Sequence, residues 1–180
     1  MPAIRQEHRI IVEGMDGSGK TTLIDRLRYD FDELVLVRNP LDDKQDFTTW
    51  WPQEMDREPS KIIPIHDRFF YSEIVYGPVL RQRINAPQAL VDNVAIFLRL
   101  TALLIYARPN SSIILDAVKN NEHMDGVKEK GQELLELYDN VMMVELQWYK
   151  DRFIRYDWNN PESYPQVEDT VRTYLNGKLP

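Results

Sequence analysis

The sequence predicts an α/β fold, a parallel sheet with helices on both faces, and three observations predict it. Five short apolar runs, at His8–Val12, Glu33–Val37, Lys61–Ile65, Leu103–Tyr106 and Phe153–Tyr156, have the length and β-rich composition of strands. Helix-length segments separate them, so the strands join through right-handed crossovers rather than hairpins and lie parallel. A glycine-rich turn directly follows the first run, at a strand-to-helix junction.

That turn reads Gly14-Met15-Asp16-Gly17-Ser18-Gly19-Lys20-Thr21. Its glycines let successive backbone N–H groups approach an anion, Lys20 adds a positive charge, and Thr21 supplies a hydroxyl for a magnesium ion bridging phosphates. The helix that follows, about Lys20–Tyr29, points its N-terminal dipole at the same anion. Strand, loop and helix stand in the order the phosphate motif requires. Gly14, Met15, Asp16, Gly17, Ser18, Gly19, Lys20, Thr21 and Thr22 are therefore expected to bind a nucleotide.

Further helices are expected at about Phe47–Asp56, Pro87–Leu98, Ser111–Lys119, Lys128–Lys150 and Gln166–Tyr174. Pro109 followed by Ser111 marks the start of one of them. On the long helix, Leu134, Leu135, Tyr138, Val141, Met142 and Leu146 form a stripe that reads as core packing. Asn120–Gly126 is polar and reads as a mobile surface segment, and Asn159–Ser163 reads as a loop. After the third strand comes His66-Asp67-Arg68-Phe69. Ligands of an open parallel sheet sit beyond the carboxyl ends of its strands, so Asp67 should emerge on the same edge as the glycine-rich loop. A carboxylate there orders the water shell of magnesium, and the planar fork of Arg68 matches a phosphate. Away from a phosphate loop, the same dipeptide would suggest a simple Asp67–Arg68 pair.

Composition sets bounds. The 180 residues suit a single domain, 1–180, with a small lid around 110–127. There is no cysteine, which excludes a disulfide framework and thiolate chemistry and fits the cytoplasm. Met1–His8 is polar and charged, without the apolar stretch of a secretory leader. The cluster around Leu98–Tyr106 is broken by Arg99 and Thr101, so no membrane span is expected. A net charge of -7 argues against a nucleic-acid duplex as partner, whereas a local basic pocket still suits a small anion.

Val12-Glu13-Gly14-Met15-Asp16-Gly17-Ser18-Gly19-Lys20-Thr21-Thr22 resembles the opening motif of the thymidylate kinase family. Asp67-Arg68-Phe69 with Ser72 and Tyr76 is similar to that family's second motif, and Asp125–Tyr138 to the end of its lid. The resemblance implies a P-loop NTPase fold with strand order 2-3-1-4-5, and transfer of the γ-phosphoryl group of ATP to dTMP with Mg2+. It implies that Lys20 and the loop amides hold the β- and γ-phosphates and that Thr21 and Asp67 serve the magnesium. Asp16 would approach the acceptor's sugar and phosphate, while Arg68 and Arg38 would face the acceptor phosphate. Tyr76 would lie against the sugar where a 2′-hydroxyl clashes. It stands one helical turn past Ser72, so both are expected to face one pocket. Small nucleotides would be the partners, and a homodimer through helices beside the sheet is the family's habit. No general base is needed, since phosphoryl transfer is mainly positioning and charge stabilisation.

The chain also departs from that pattern. Arg38 to Asp67 is shorter than the family's thymine-reading stretch. Trp50 and Trp51 offer either a stacking face or core anchors, and Arg57 resembles the family's base-side arginine. The acceptor stays open among dTMP, dUMP, a 5-substituted relative and another deoxynucleotide. Gly17 and Ser18 supply no catalytic arginine, and between Arg108 and Lys128 the permanent cation is Lys119, which takes the lid-cation role by position, with Lys128 or Lys130 as substitutes. A deoxynucleoside kinase, or a nucleotide-binding protein of this fold without kinase activity, are the alternatives. A GTPase-type Asn/Thr-Lys-x-Asp signature is absent from the sequence. So is the Asp-Glu strand end of an assembly ATPase.

Overall fold

The structure is a computed structural model and describes residues 8–38, 47–56, 62–120, 126–177 and 179. Five parallel strands, β1 (Arg9–Glu13), β2 (Leu34–Arg38), β3 (Ile63–Asp67), β4 (Ala102–Ala107) and β5 (Phe153–Tyr156), form one sheet in the order β2-β3-β1-β4-β5. This is the predicted order. Every residue of β1 and β4 is buried, as strands covered on both faces must be, which is why β4 and the centre of β1, Ile10–Val12, read as apolar runs.

Alternate side chains feed two cores. Ile10, Val12, Leu103 and Ile105 point to one face, under α1 (Lys20–Asp30) and α7 (Ser163–Leu175). Ile11, Leu104 and Tyr106 point to the other. That side is covered by α2 (Phe47–Met55), α3 (Phe70–Tyr76), α4 (Gln88–Thr101), α5 (Ser111–Asn120) and α6 (Gly131–Tyr149). Helix α1 shows where its stability comes from. Its N-cap is Gly19 in the left-handed region, with no side-chain cap, so propensity and capping contribute little. Leu23, Ile24 and Leu27 are buried instead, each worth roughly 1.5–3 kcal/mol. The first amides of α1 stay available at the sheet edge.

The structure shifts several boundaries. β3 runs on to Asp67 rather than stopping at Ile65, because its polar end is the site edge rather than the core. Helix α3 is not announced by local periodicity, and it continues into a π-helical turn at Gly77–Arg81. On α6, Leu134, Leu135, Tyr138 and Met142 are buried, but Leu146 is exposed. Most of the stretch Asn120–Gly126, residues 121–125, lies outside the described residues. No helix among the described residues is long and apolar enough to cross a membrane.

Candidate active site

β1 delivers the glycine-rich loop to the carboxyl edge of the sheet, between β3 and β4. Gly14 has φ 146°, and a Cβ there would stand 2.5 Å from the carbonyl oxygen of Ala107, at the end of β4. Only a residue without a side chain lets the loop leave the strand this close to its neighbour. Around the loop lies a cavity of about 530 Å3. Asp16, Gly17 and Gly19–Thr22 form one side, and Asp67, Arg68 and Ala117 the other.

Lys20 is 6% exposed, and its ammonium donates to the carbonyls of Gly14 and Met15, both at 2.8 Å. Burial, reinforced by the Arg68 guanidinium, lowers its pKa to about 7. Arg68 adopts φ 65° while its amide donates to Val12 O at 3.0 Å. That turn aims the guanidinium at Asp16 Oδ1, with which it pairs. The Tyr76 hydroxyl donates to Asp16 Oδ2 at 3.0 Å and accepts from the Asp16 amide at 3.3 Å. Burial pushes the Asp16 carboxyl up, but Arg68, Lys20 and the Tyr76 hydroxyl outweigh it and hold the group below its ordinary value. Asp16, Arg68 and Tyr76 thus form one hydrogen-bonded unit, with Asp16 and Arg68 on the cavity wall.

Glu13 underlies this unit, and sequence reasoning gave it no role of its own. Fully buried, its Oε1 accepts from the amides of Phe69 (2.8 Å) and Ser72 (3.2 Å), and its Oε2 from the Ser72 hydroxyl (2.7 Å). A carboxylate from β1 therefore caps α3, which has no cap of its own. Burial raises the Glu13 pKa, with the Ser72 and Phe69 hydrogen bonds opposing.

Asp67 ends β3 opposite Val12 and Arg38 in the strand registers. Its Oδ1 is buried without a hydrogen-bond partner among the described residues, on the wall of the cavity around the glycine-rich loop. Magnesium bound with substrate phosphates needs one or two protein oxygens rather than a cage. Asp67 with the neighbouring Thr21 fits that need, and no larger acid or histidine cluster occurs among the described residues.

Three expected site residues are placed differently. Ser72 is 0% exposed and engaged by Glu13 and by the Tyr138 hydroxyl at 2.7 Å, so it holds the scaffold and does not line the cavity. Tyr76 is also 0% exposed, its ring edge-on to Tyr138 at 5.9 Å, and it reaches the cavity through Asp16. Lys119 closes α5 with its side chain 71% exposed, 3.9 Å from Asp116, because it follows the solvent face while Ile114 and Val118 take the core face. Among the described residues, the cations lining the cavity are Lys20 and Arg68. Lys119→Ala is accordingly expected to leave kcat within a factor of about two, and a loss beyond about tenfold in steady-state assays would restore it to the site.

Met15 contributes its carbonyl to Lys20, while its side chain is buried in the core. Arg38 ends β2 at the same sheet edge, in register with Asp67. Trp51 is a core anchor, 4.8 Å from Phe47, and Trp50 packs on Phe69 at 5.2 Å. Arg57 lies outside the described residues. A further residue that the sequence reading passed over is Trp158. In the loop after β5, it leans on Gly19, whose Cβ would lie 2.7 Å from its Cδ1. An aromatic just past the end of a parallel strand was the available signal.

No protein-family model matches the chain, and no curated protein matches it in sequence. Solved structures do match in fold. YorR of Bacillus subtilis, in complex with phosphorylated GDP, superposes with a TM-score of 0.69 at 19% identity over 93% of this chain and 97% of its own. Thymidylate kinase from Candida albicans gives 0.57 at 14% identity, covering 96% and 93%. Deoxyadenosine kinase from M. mycoides with bound dCTP gives 0.56 at 16% identity, covering 94% and 99%. The fold is shared with P-loop nucleotide and nucleoside kinases.

Proposed function

We propose that this protein is a magnesium-dependent phosphotransferase that moves the γ-phosphoryl group of ATP to the phosphate of a pyrimidine deoxynucleoside monophosphate such as dTMP. The observation that carries this reading is the presence of two cations of different origin in one cavity. Lys20 belongs to the phosphate loop, and Arg68 stands across from it at the end of β3. A protein that only held a nucleotide would need the first alone.

In this reading the amides from Gly17 to Thr22 and Lys20 bind the donor's phosphates, and Asp16 orients the acceptor. Arg68, together with Arg38 from the adjoining strand end, draws in the acceptor phosphate. Asp67 and Thr21 would hold the magnesium, which supplies charge neutralisation across the donor phosphates. An acceptor phosphate oxygen forms the new bond to the γ-phosphorus as the bond to the bridging oxygen breaks, and ADP leaves with that electron pair. The acceptor phosphate is already ionised at neutral pH, so no base is required, and charge stabilisation and alignment do the rest. Ser72 and Tyr76 act indirectly, by fixing α3 and Asp16.

A deoxynucleoside kinase is the second reading, favoured by the engagement of Arg68 with Asp16, which leaves an acid beside the acceptor. One panel separates the two. Purified protein with ATP and magnesium is expected to release ADP with dTMP or a close analogue, and far less with thymidine. Release with nucleosides alone selects the second reading. No acceptor-stimulated release across nucleosides and monophosphates removes both.

A further inference from the structure

Resting on that phosphotransferase reading, we propose that Trp158 is the stacking platform for the base of the phosphoryl donor, and that the donor subsite takes adenine and guanine alike. Trp158 sits just past β5, on the sheet edge that carries the phosphate loop, and is 46% exposed. The pyrrole part of its indole covers Gly19, where a Cβ would meet Cδ1 at 2.7 Å and Nε1 at 3.1 Å. Gly19 directly precedes Lys20 and caps α1, whose first amides are the seat for the donor's phosphates. A nucleotide seated there must send its sugar and base over the rim of the loop. At Gly19 that rim is an indole.

The surrounding loop is held by its own short-range hydrogen bonds. Asp157 Oδ1 accepts from the amide and the side chain of Asn159, at 3.0 and 3.2 Å. Asn160 Oδ1 accepts from the Glu162 amide at 3.1 Å, and Ser163 Oγ from the Asp157 amide at 2.9 Å. These atoms engage one another and the loop's own amides. The indole is the large aromatic group that this loop presents beside Gly19, partly exposed. An aromatic face binds any base through its π-surface, whereas discrimination between purines needs hydrogen bonds to the base edge. The indole beside Gly19 supplies the first.

Calorimetric titration of the full chain with ATP, GTP and inorganic tripolyphosphate, each with magnesium, tests this. ATP and GTP are expected to bind within about threefold of each other. Trp158→Ala should weaken both by roughly tenfold or more, the scale of a lost base stack, while tripolyphosphate stays within about twofold and Trp158→Phe keeps most of the nucleotide affinity. Circular dichroism confirms that the variants are folded. Three outcomes overturn the proposal: unchanged ATP affinity in Trp158→Ala, equal weakening of tripolyphosphate (a packing role on Gly19), or ATP and GTP differing by more than about tenfold. Failure of all three ligands to bind the unaltered protein would instead remove the phosphotransferase reading on which the proposal stands.

Discussion

Lys20→Ala is expected to lower kcat by roughly a thousandfold, with the fold unchanged by circular dichroism. The ammonium lies buried on the carbonyls of Gly14 and Met15, at the N-terminus of α1, where charge on a transferred phosphoryl group would develop. The same burial gives a second readout. With its pKa lowered to about 7, Lys20 is neutral above that pH in the free protein, and a bound polyphosphate restores its proton. Nucleotide binding should therefore take up a proton at about pH 8 and weaken as the pH rises, while at about pH 6 the lysine contributes no uptake. Calorimetry in buffers of different ionisation enthalpy measures this, and Lys20→Ala should abolish the uptake at about pH 8. Uptake equal in both proteins would mean that the lysine keeps its charge throughout.

Glu13→Ala should show the largest loss of stability among single changes near the site. It leaves the Phe69 and Ser72 amides buried without an acceptor, at roughly 1–3 kcal/mol each. A total of roughly 3 kcal/mol corresponds to a Tm lower by roughly 6–12 °C in a domain of this size. Glu13→Gln keeps an amide oxygen for the two N–H groups, and its NH2 can donate to the Ser72 hydroxyl, so it should recover most of the loss. Equal destabilisation by alanine and glutamine in thermal melts would show that the negative charge, rather than the acceptor geometry, holds α3.

The outcome at Glu13 also explains what the sequence displayed and what it withheld. The glycine-rich loop is legible because its requirement is local: Gly14 must pass Ala107, and Lys20 must follow at fixed spacing. β1 and β4 are legible because burial on both faces selects the apolar runs Ile10–Val12 and Ala102–Ala107. Helix α3 is hidden because its cap comes from a strand 56 residues away, and Phe70-Tyr71 makes a poor helix signal. Tyr76 and Ser72 were correctly one turn apart, but spacing does not say whether a shared face meets a ligand or a core. For Lys119 the charge was visible and its direction was not. That direction follows from Ile114 and Val118 taking the inner face of α5. Trp158 escaped notice because its neighbour Gly19 is distant in sequence.

The central place of β1 has a consequence for how the chain comes to fold. Ile10 pairs with Ile65 on one side and with Leu103 on the other, so the strand that carries the phosphate loop has no sequence-local partner. Closing such distant pairings costs loop entropy before any contact repays it, which slows folding of sheets of this kind. During synthesis the loop emerges early, yet the carbonyl of Ala107 that closes over Gly14 emerges much later. The first motif written in the chain is thus among the last to become a site. Until β4 docks, the nascent chain has no assembled nucleotide pocket to stabilise it, and the apolar edges of β1 stay exposed to wrong pairing.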